Sequence, residues 1–413
     1  MINAIQNPFI INKHWLSIIL LRIGMIIAFF GSLNPWFMWC IGPYYIYLSS
    51  LIILLSMLTS ANSKNNIYTR KNFLFPIMAY FILVYYQVIV NDESFGLSIL
   101  KLFQAIIFLA IFRIDLSILY NIPTIICKIM ACIMCLSIPA FFMYLIGFPL
   151  PSINANYGEL YEYSNYFFFL LDDRFMTTII PRFNSVFLEP GQMGSATALL
   201  LSTQCGKWHK WYNIILILTT LISFSLAAYV MLFIITFLNI WIQKKNIFRK
   251  LIGSITIAST IIIGSFFYNE GYNLVHDLIV MRLEVEDGEM AGDNRVDNNF
   301  QADYDNFIQS SDIIFGRDLD REWGSAGYKI FYYDFGLIGL ILLAIFYSSS
   351  LMYATNKRTM TSALILSTLN FIVRDFPLWF GFYIPIYCTA YTIKIESEVD
   401  NHEENSDVEI STI

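Results

Sequence analysis

One short stretch carries an arginine and a glutamate that could take part in chemistry, and the rest of the chain must hold them in place. Residues 181–194 read Pro-Arg-Phe-Asn-Ser-Val-Phe-Leu-Glu-Pro-Gly-Gln-Met-Gly, which places Arg182 and Glu189 seven positions apart. The planar guanidinium of an arginine holds a phosphate or a carboxylate through two parallel hydrogen bonds. A glutamate beside an apolar helix is costly unless it has a partner or a catalytic role. Pro190 and Gly191 interrupt regular structure next to the acid, so we expect Glu189 on a bent segment near a membrane surface.

The two large polar loops of this chain contain arginine but no lysine. Those loops carry Arg174, Arg182, Arg282, Arg295, Arg317 and Arg321. Residues 251–328 contain no lysine, although lysine is frequent in the segments between the other apolar runs. The forked guanidinium explains this selection if the ligand is a diphosphate or an acidic sugar. The alternative is that these arginines pair with the many acids of the second loop.

Glu189 suits either of two roles. As a general base it would take the proton from a sugar hydroxyl, while arginines stabilise a departing diphosphate. As a structural group it would form a salt bridge to Arg182 or Arg295, and that neighbour would weaken it as a base. The residues alone leave both roles open.

Metal and cofactor chemistry is less well supported. The pairs Asp172-Asp173, Asp303-Tyr304-Asp305 and Asp318-Leu319-Asp320 resemble a metal-binding motif, but such pairs are common in acid-rich loops. His276 is the lone histidine of the two loops, and a histidine in that position is more often incidental. Zinc-binding, phosphate-loop and dinucleotide-binding motifs are absent. We therefore expect no metal and no cofactor.

The composition indicates a membrane protein. Hydrophobic residues make up 57% of the chain and charged residues 14%, whereas soluble domains carry about 25% charged residues. The mean hydropathy is +0.59. The chain must therefore hide its apolar surface in lipid. It has no basic patch, so we expect no nucleic-acid partner. The six cysteines lie mostly in apolar runs, where we expect them to act as packing residues.

About twelve apolar runs are long enough to be candidate membrane spans. They cover residues 16–33, 40–60, 73–90, 97–113, 122–148, 186–204, 211–223, 225–242, 249–267, 328–353, 359–372 and 376–394. Lysines flank both ends of 211–242, which favours two short helices that meet near Ser223-Phe224-Ser225.

Most basic residues of the short connections fall on one side under this count: Lys13, Lys64, Arg70, Lys71, Arg113, Lys207, Lys210, Lys244, Lys245, Arg249, Lys250, Lys357 and Arg358. An excess of lysine and arginine marks the cytoplasmic side, so we expect both termini to be cytoplasmic. The two large polar loops then lie outside. The predicted units are membrane helices in 1–148, a first outside loop in 149–185, central helices in 186–267, a second outside loop in 268–327, C-terminal helices in 328–394 and an acidic cytoplasmic tail in 395–413.

Both arginine-bearing stretches resemble a known signature. Residues 181–194 are similar to the Arg-Phe-x-Ser-x-Phe-x-Glu-Pro-Gly-x-x-Gly pattern of bacterial O-antigen polymerases of the Wzy type, within the O-antigen ligase and polymerase superfamily. Residues 315–340 resemble the second half of that signature through Gly316-Arg317, Gly327-Tyr328 and Asp334-Phe335-Gly336.

The resemblance implies an all-α polytopic protein of the bacterial inner membrane, with a C-type glycosyltransferase-like fold and two periplasmic loops. The implied reaction joins oligosaccharide repeat units carried on undecaprenyl diphosphate, in contact with membrane lipid and a chain-length regulator protein. Glu189 and Arg182 would be catalytic. The implied substrate-binding residues are Arg295, Arg317, Arg282, Arg321 and Tyr328.

Two alternatives stay open. An O-antigen ligase would transfer the glycan to lipid A core, but a histidine common near the glycine-rich helix start in that branch is missing from residues 325–329. A flippase of the same lipid-linked unit would be expected to have short loops and a charged central cavity. This chain instead concentrates its charge in two large outside loops.

Overall fold

The computed structural model describes most of the apolar runs and parts of the loops between them. The described residues are 13–61, 74–90, 99, 102–103, 105–107, 110–111, 114, 116–158, 161–172, 181–243, 247–271, 273, 276, 285–286, 289–290, 298–317, 327–354, 357–373 and 380–390. The acidic tail, predicted for 395–413, lies outside them.

The described chain is mostly helical. Its helices are α1 (Lys13–Ser32), α2 (Tyr45–Ala61), α3 (Leu74–Val90), α4 (Leu116–Leu119), α5 (Asn121–Leu145), α6 (Pro190–Ser202), α7 (Trp211–Ile222), α8 (Leu226–Gln243), α9 (Ile247–Phe267), α10 (Asn298–Ile308), α11 (Tyr328–Tyr353), α12 (Lys357–Val373) and α13 (Phe380–Ala390). Short 3₁₀ turns cover Trp36–Met38, Gly42–Tyr44, Tyr268–Gly271 and Ser311–Ile313.

Five described helical stretches are long and apolar enough to cross a membrane, so we treat the chain as membrane-embedded. They are α1, Gly42–Ser60, α5, α9 and α11, and α3, α7 and α8 contain shorter apolar helices. Every predicted apolar run except 97–113 contains one of the helices above, and in 97–113 only short helical pieces are described. The total of twelve crossings stays a prediction.

The first outside loop contains a small antiparallel sheet, which an all-α prediction did not include. Its strands are β1 (Ile153–Tyr157), β2 (Tyr161–Asn165) and β3 (Leu170–Asp172), paired in the order β1-β2-β3. Alternation explains β2: Tyr163 is buried, while Glu162 faces outward and pairs with Asn156 of β1. A second, two-stranded pairing joins β4 (Val285–Glu286) to β5 (Glu289–Met290).

The helical structure is interrupted between α7 and α8, at the position that the flanking lysines predicted. The helices end at Ile222 and resume at Leu226, and Phe224 between them has a left-handed φ of 46°. Helix α6 crosses this break closely, because a Cβ added at Gly194 would lie 2.5 Å from the Ala228 side chain. The prediction of two helices over 211–242 is confirmed.

Helix α11 is broken at Gly336, whose φ of 58° and ψ of −163° are not helical. Residues 314–317 fill the gap with their own backbone. The Arg317 N–H donates to the Tyr333 carbonyl at 2.8 Å, and the Ile338 N–H donates to the Ile314 carbonyl at 3.1 Å. Two of the polar groups that the break releases are therefore paired by this segment, and the Phe335 carbonyl also accepts the Tyr86 hydroxyl at 3.2 Å. Such pairing is what a non-helical segment at membrane depth requires.

Segments that the charge pattern assigns to the outside contact one another. The Trp36 indole N–H, between α1 and α2, donates to the Phe167 carbonyl at 3.0 Å. The Tyr86 hydroxyl, near the end of α3, donates to the Phe315 carbonyl at 2.8 Å. The first loop therefore meets the α1–α2 connection, and the second loop meets the end of α3.

Segments assigned to the cytoplasmic side also meet. The Lys207 ammonium donates to the Tyr120 hydroxyl at 3.0 Å, and the Arg358 guanidinium donates to the Trp241 carbonyl at 3.2 Å. These contacts agree with the predicted division of the loops into two faces. They do not set which face is cytoplasmic, and that orientation stays a prediction.

We predict that Gly336→Ala lowers the stability of the fold, by about 1–3 kcal/mol or more. A Cβ at this position would lie 2.5 Å from both the Ile314 carbonyl oxygen and the Gly316 nitrogen, on a backbone with positive φ. The measurement is the thermal unfolding midpoint of the purified protein in detergent. The control is Gly253→Ala in α9, where a Cβ meets nothing within 4 Å. Equal midpoints for the two variants would contradict the broken helix.

Candidate functional site

The stretch that joins the first loop to α6 is a buried, irregular segment. Phe183 and Phe187 are fully buried, and the Phe183 ring lies 5.1 Å from the Phe141 ring of α5. Arg182 and Glu189, at the two ends of this segment, are only half-buried. The aromatic residues of the motif therefore hold the segment in the core. Its two charged residues lie on either side of this buried part.

A side-chain turn shapes the middle of the segment. The Asn184 amide donates to the Phe187 carbonyl at 3.0 Å, and the Asn184 carbonyl accepts the Phe187 N–H at 3.1 Å. Ser185 has a left-handed φ of 54°, and its hydroxyl lies 2.6 Å from the Ser137 hydroxyl. Ser137 donates its single hydrogen to the Phe168 carbonyl at 2.6 Å, so Ser185 is the donor to Ser137. The motif serine thus ties the segment to α5.

Glu189 stands at the N-terminus of α6. Its backbone is extended, with φ −133° and ψ 142°, and its carbonyl accepts the Met193 N–H at 3.0 Å. Pro190 takes the first helical position, where a missing N–H costs nothing. The Glu189 carboxylate does not cap the helix. It nevertheless sits where the helix dipole favours negative charge.

Arg317, the charged residue of the second motif, is held by acids. Its Nε and Nη2 donate to Asp312 Oδ2 at 3.0 and 2.7 Å, and Nη2 also lies 3.1 Å from the Ser310 hydroxyl. Its Nη1 lies 3.6 Å from Asp303 Oδ1. The hydrogen bond to Asp312 raises the pKa of Arg317 above its usual value. From the sequence, Arg317 could either bind a ligand or pair with acids of the loop. In the structure it pairs with Asp303 and Asp312.

Aromatic rings complete this cluster and fasten α10 to α11. The Arg317 guanidinium lies 5.6 Å from the Phe307 ring centre and 5.7 Å from that of Tyr333. The Tyr333 hydroxyl donates to Asp303, and the rings of Phe307 and Tyr333 are 4.9 Å apart. One arginine, two carboxylates and a small aromatic core thus hold the second loop on the part of α11 that precedes its break.

The remaining predicted site residues divide between exposed and undescribed positions. Tyr328 is 44% exposed at the first position of α11. Arg282, Arg295 and Arg321 lie outside the described residues. The His276 ring packs 4.9 Å from the Phe266 ring, at the end of α9. Within the described residues, no group of three or more His, Cys, Asp and Glu side chains is arranged to hold a metal ion.

Sequence reasoning missed two acids that the structure brings to these segments. Asp312 is the main partner of Arg317, and a Ser310 hydroxyl that accepts its N–H at 3.2 Å marks the turn in which it lies. Asp334 is 7% exposed and lies two residues before the break in α11. An acid inside a predicted membrane span was the signal for Asp334, because such residues usually face the protein interior.

The two motifs belong to one hydrophobic core but occupy different parts of it. Phe183 and Phe187 of the first motif share that core with Phe331 and Phe335 of α11. Arg182 and Glu189 flank the segment before α6, whereas Arg317 and Tyr328 lie at and just before the part of α11 that precedes its break. The charged residues of each motif therefore lie close in sequence to a break in regular structure.

No protein-family model, curated protein or solved structure matches this chain. Its function must therefore be inferred from the residues of the two motifs and from their geometry.

We predict that Asp312→Asn destabilises the protein by about 1 kcal/mol, because it removes the charge that holds Arg317 in a partly exposed ion pair. The matched control is Asp305→Asn on α10, an exposed acid whose partner is the neutral Gln301 amide at 2.8 Å. Thermal unfolding midpoints in detergent, measured side by side, give the comparison. A larger loss for the Asp305 variant would contradict the role given to Asp312.

Proposed function

We propose that this chain is a membrane glycosyltransferase that joins lipid-linked oligosaccharide repeat units at the periplasmic face of the bacterial inner membrane, as an O-antigen polymerase does. The observation that carries the proposal is the position of Arg182 and Glu189. Both are half-buried, and they flank a single buried segment that leads into the N-terminus of α6. An arginine and an acid held at the rim of a core suit a charged lipid headgroup and a sugar hydroxyl.

The proposed reaction exchanges one bond at the anomeric carbon of the donor glycan. A hydroxyl oxygen of the acceptor unit attacks that carbon, and its proton passes to the Glu189 carboxylate. The bond from the anomeric carbon to the diphosphate breaks, and undecaprenyl diphosphate leaves with the electron pair. Arg182 stabilises the charge that develops on the departing diphosphate. The positive end of α6 acts in the same sense.

The second group of residues plays a different part in this proposal. Asp303 and Asp312 surround Arg317, so these three described side chains carry a net negative charge, which disfavours a diphosphate. We therefore assign Arg317 to holding the second loop on α11. Arg282, Arg295 and Arg321 are the candidates for diphosphate binding from that loop, and the exposed Tyr328 ring is a candidate surface for sugar.

The proposal includes a lipid-linked substrate, surrounding membrane lipid and a chain-length regulator protein as partners. It needs no cofactor and no metal, because arginines supply the positive charge at the leaving group. It places both termini in the cytoplasm.

A transporter of the same lipid-linked unit is the second candidate, and the break in α11 favours it. Discontinuous helices that expose backbone near an acid are common in transporters, and Asp334 lies beside this break. Products in cells that lack the chain separate the candidates. Loss of long glycans with single capped units retained supports a polymerase, and loss of all capping indicates a ligase. Accumulation of units on the cytoplasmic leaflet indicates a flippase.

We predict that Arg182→Ala and Glu189→Gln each abolish long glycan chains while the protein still reaches the membrane. Arg182→Lys keeps the charge but loses the fork, so it should restore little activity. The control is Glu162→Gln, an exposed acid on β2 of the same loop, which should leave the glycan ladder unchanged. The readout is the ladder on a gel together with the amount of protein in the membrane. Normal ladders from either Arg182→Ala or Glu189→Gln would remove that residue from the site.

We predict that activity survives a metal chelator. The reaction is followed in membranes that contain the chain and its lipid-linked substrate, with and without chelator. Loss of chain extension that magnesium restores would contradict the metal-free mechanism.

A further inference from the structure

The turn between β2 and β3 lies beside the middle of a membrane helix. The Phe168 carbonyl accepts the Ser137 hydroxyl of α5 at 2.6 Å, and the Tyr166 ring lies 5.2 Å from the Tyr144 ring. Ser137 precedes Leu145, the last residue of α5, by eight positions, which is about 12 Å along a helix. A segment that the sequence assigned to an outside loop therefore reaches down the side of a candidate membrane span.

Protein groups pair the exposed carbonyls of this turn. The Phe167 carbonyl accepts the Trp36 indole N–H at 3.0 Å, and the Phe168 carbonyl accepts the Ser137 hydroxyl. Trp36 and Ser137, both remote in the sequence, thus donate hydrogen bonds to these two carbonyls. At an ordinary surface turn, water would donate those hydrogen bonds. Such pairing is required where water is absent.

The N–H groups of the same turn are paired locally. The Phe167 N–H donates to the Asn165 side chain at 2.8 Å, and the Phe168 N–H donates to the Tyr166 carbonyl at 2.8 Å. The Tyr166 N–H donates to the Phe169 carbonyl at 2.9 Å. Three of the four backbone N–H groups of residues 166–169 are therefore paired by the turn itself and the adjoining Asn165.

The outward side chains of the turn are large and apolar. Phe167 is 43% exposed and Phe168 is 50% exposed. Phe167 also holds a left-handed φ of 67°, an unfavourable conformation for a bulky residue. On α5, which the turn contacts through Ser137, Leu136 and Phe142 are also 61% and 50% exposed.

We propose that residues 166–169 form an aromatic turn inserted into the acyl-chain region of the outer leaflet, with bilayer lipid as the occupant of its exposed face. The turn is joined directly to the first motif, because the Leu170 N–H donates to the Ser185 carbonyl at 2.7 Å. Lipid acyl chains therefore border the segment that carries Arg182 and Glu189. The choice of leaflet follows from the predicted orientation, whereas insertion of the turn rests on its hydrogen bonds and exposed rings and holds whether the chain is a transferase or a transporter.

The test measures membrane depth with spin labels in the full chain, reconstituted into phosphatidylethanolamine and phosphatidylglycerol liposomes. The exposed Cys40, Cys132 and Cys135 are first changed to serine. Labels are then attached at Phe168→Cys or, as the matched control, at Asn156→Cys, an exposed position on β1 near the far end of the same sheet. Collision rates with oxygen, which partitions into lipid, and with a water-soluble nickel complex report the surroundings.

The label at position 168 should collide mainly with oxygen, and the label at 156 mainly with nickel. A nickel-dominated response at both positions would overturn the proposal. A milder substitution guards against a label that disturbs the turn. The fluorescence of Phe168→Trp, after subtraction of the parent signal, should be quenched by lipids brominated on the acyl chains, and that of Asn156→Trp should not. Equal quenching of the two variants would also overturn the proposal.

Discussion

Pairing of backbone polar groups where water is scarce is the constraint on which this structure depends. Helices satisfy it internally, so the informative places are those where the chain is not helical. At the break in α11, residues 314–317 supply the missing partners through backbone hydrogen bonds. Before α6, side chains of Asn184 and Tyr163 do so. Each of the two irregular segments contains one of the two sequence motifs. The fold can therefore place the charged residues of the motifs on non-helical backbone whose polar groups are paired.

The glycines of the second motif have a direct physical explanation in this constraint. A Cβ at Gly316 would lie 2.2 Å from the Asp334 carbonyl oxygen, and one at Gly336 would meet the backbone of Ile314. Two backbones approach here without intervening side chains, which only glycine permits. The Gly316-Arg317 and Asp334-Phe335-Gly336 steps are therefore two halves of one joint. That joint sets where Arg317 and the second loop stand relative to α11.

The same geometry separates the roles of the two arginines. Arg317 has carboxylates on two sides and rings on its faces, which fix it as part of the joint. Arg182 lies half-buried at one edge of a segment that Phe183 and Phe187 bury in the core. The proposed chemistry therefore centres on Arg182 and Glu189.

Long apolar runs predicted the helices well, since hydrophobic length is a property of each segment by itself. Flanking lysines likewise predicted the break near Phe224. The sheet at 153–172, the break at Gly336 and the pairing of Arg317 with Asp312 were not predicted. Each depends on contacts between remote segments. From the sequence alone, Gly336-Leu337-Ile338-Gly339 in an apolar run predicts a continuous helix. Only the contacts with residues 314–317, which replace hydrogen bonds of that helix, reveal the break.

The most direct test of the central claim is a reaction with purified chain in liposomes that contain the lipid-linked repeat unit of its host. Products are analysed by mass, and the location of the unit in each leaflet is measured in the same sample. A polymerase should produce lipid-linked glycans that grow by whole repeat units, with one polyprenyl diphosphate released for each unit added. Movement of the unit between leaflets without any lengthening would show that the chain is not a polymerase.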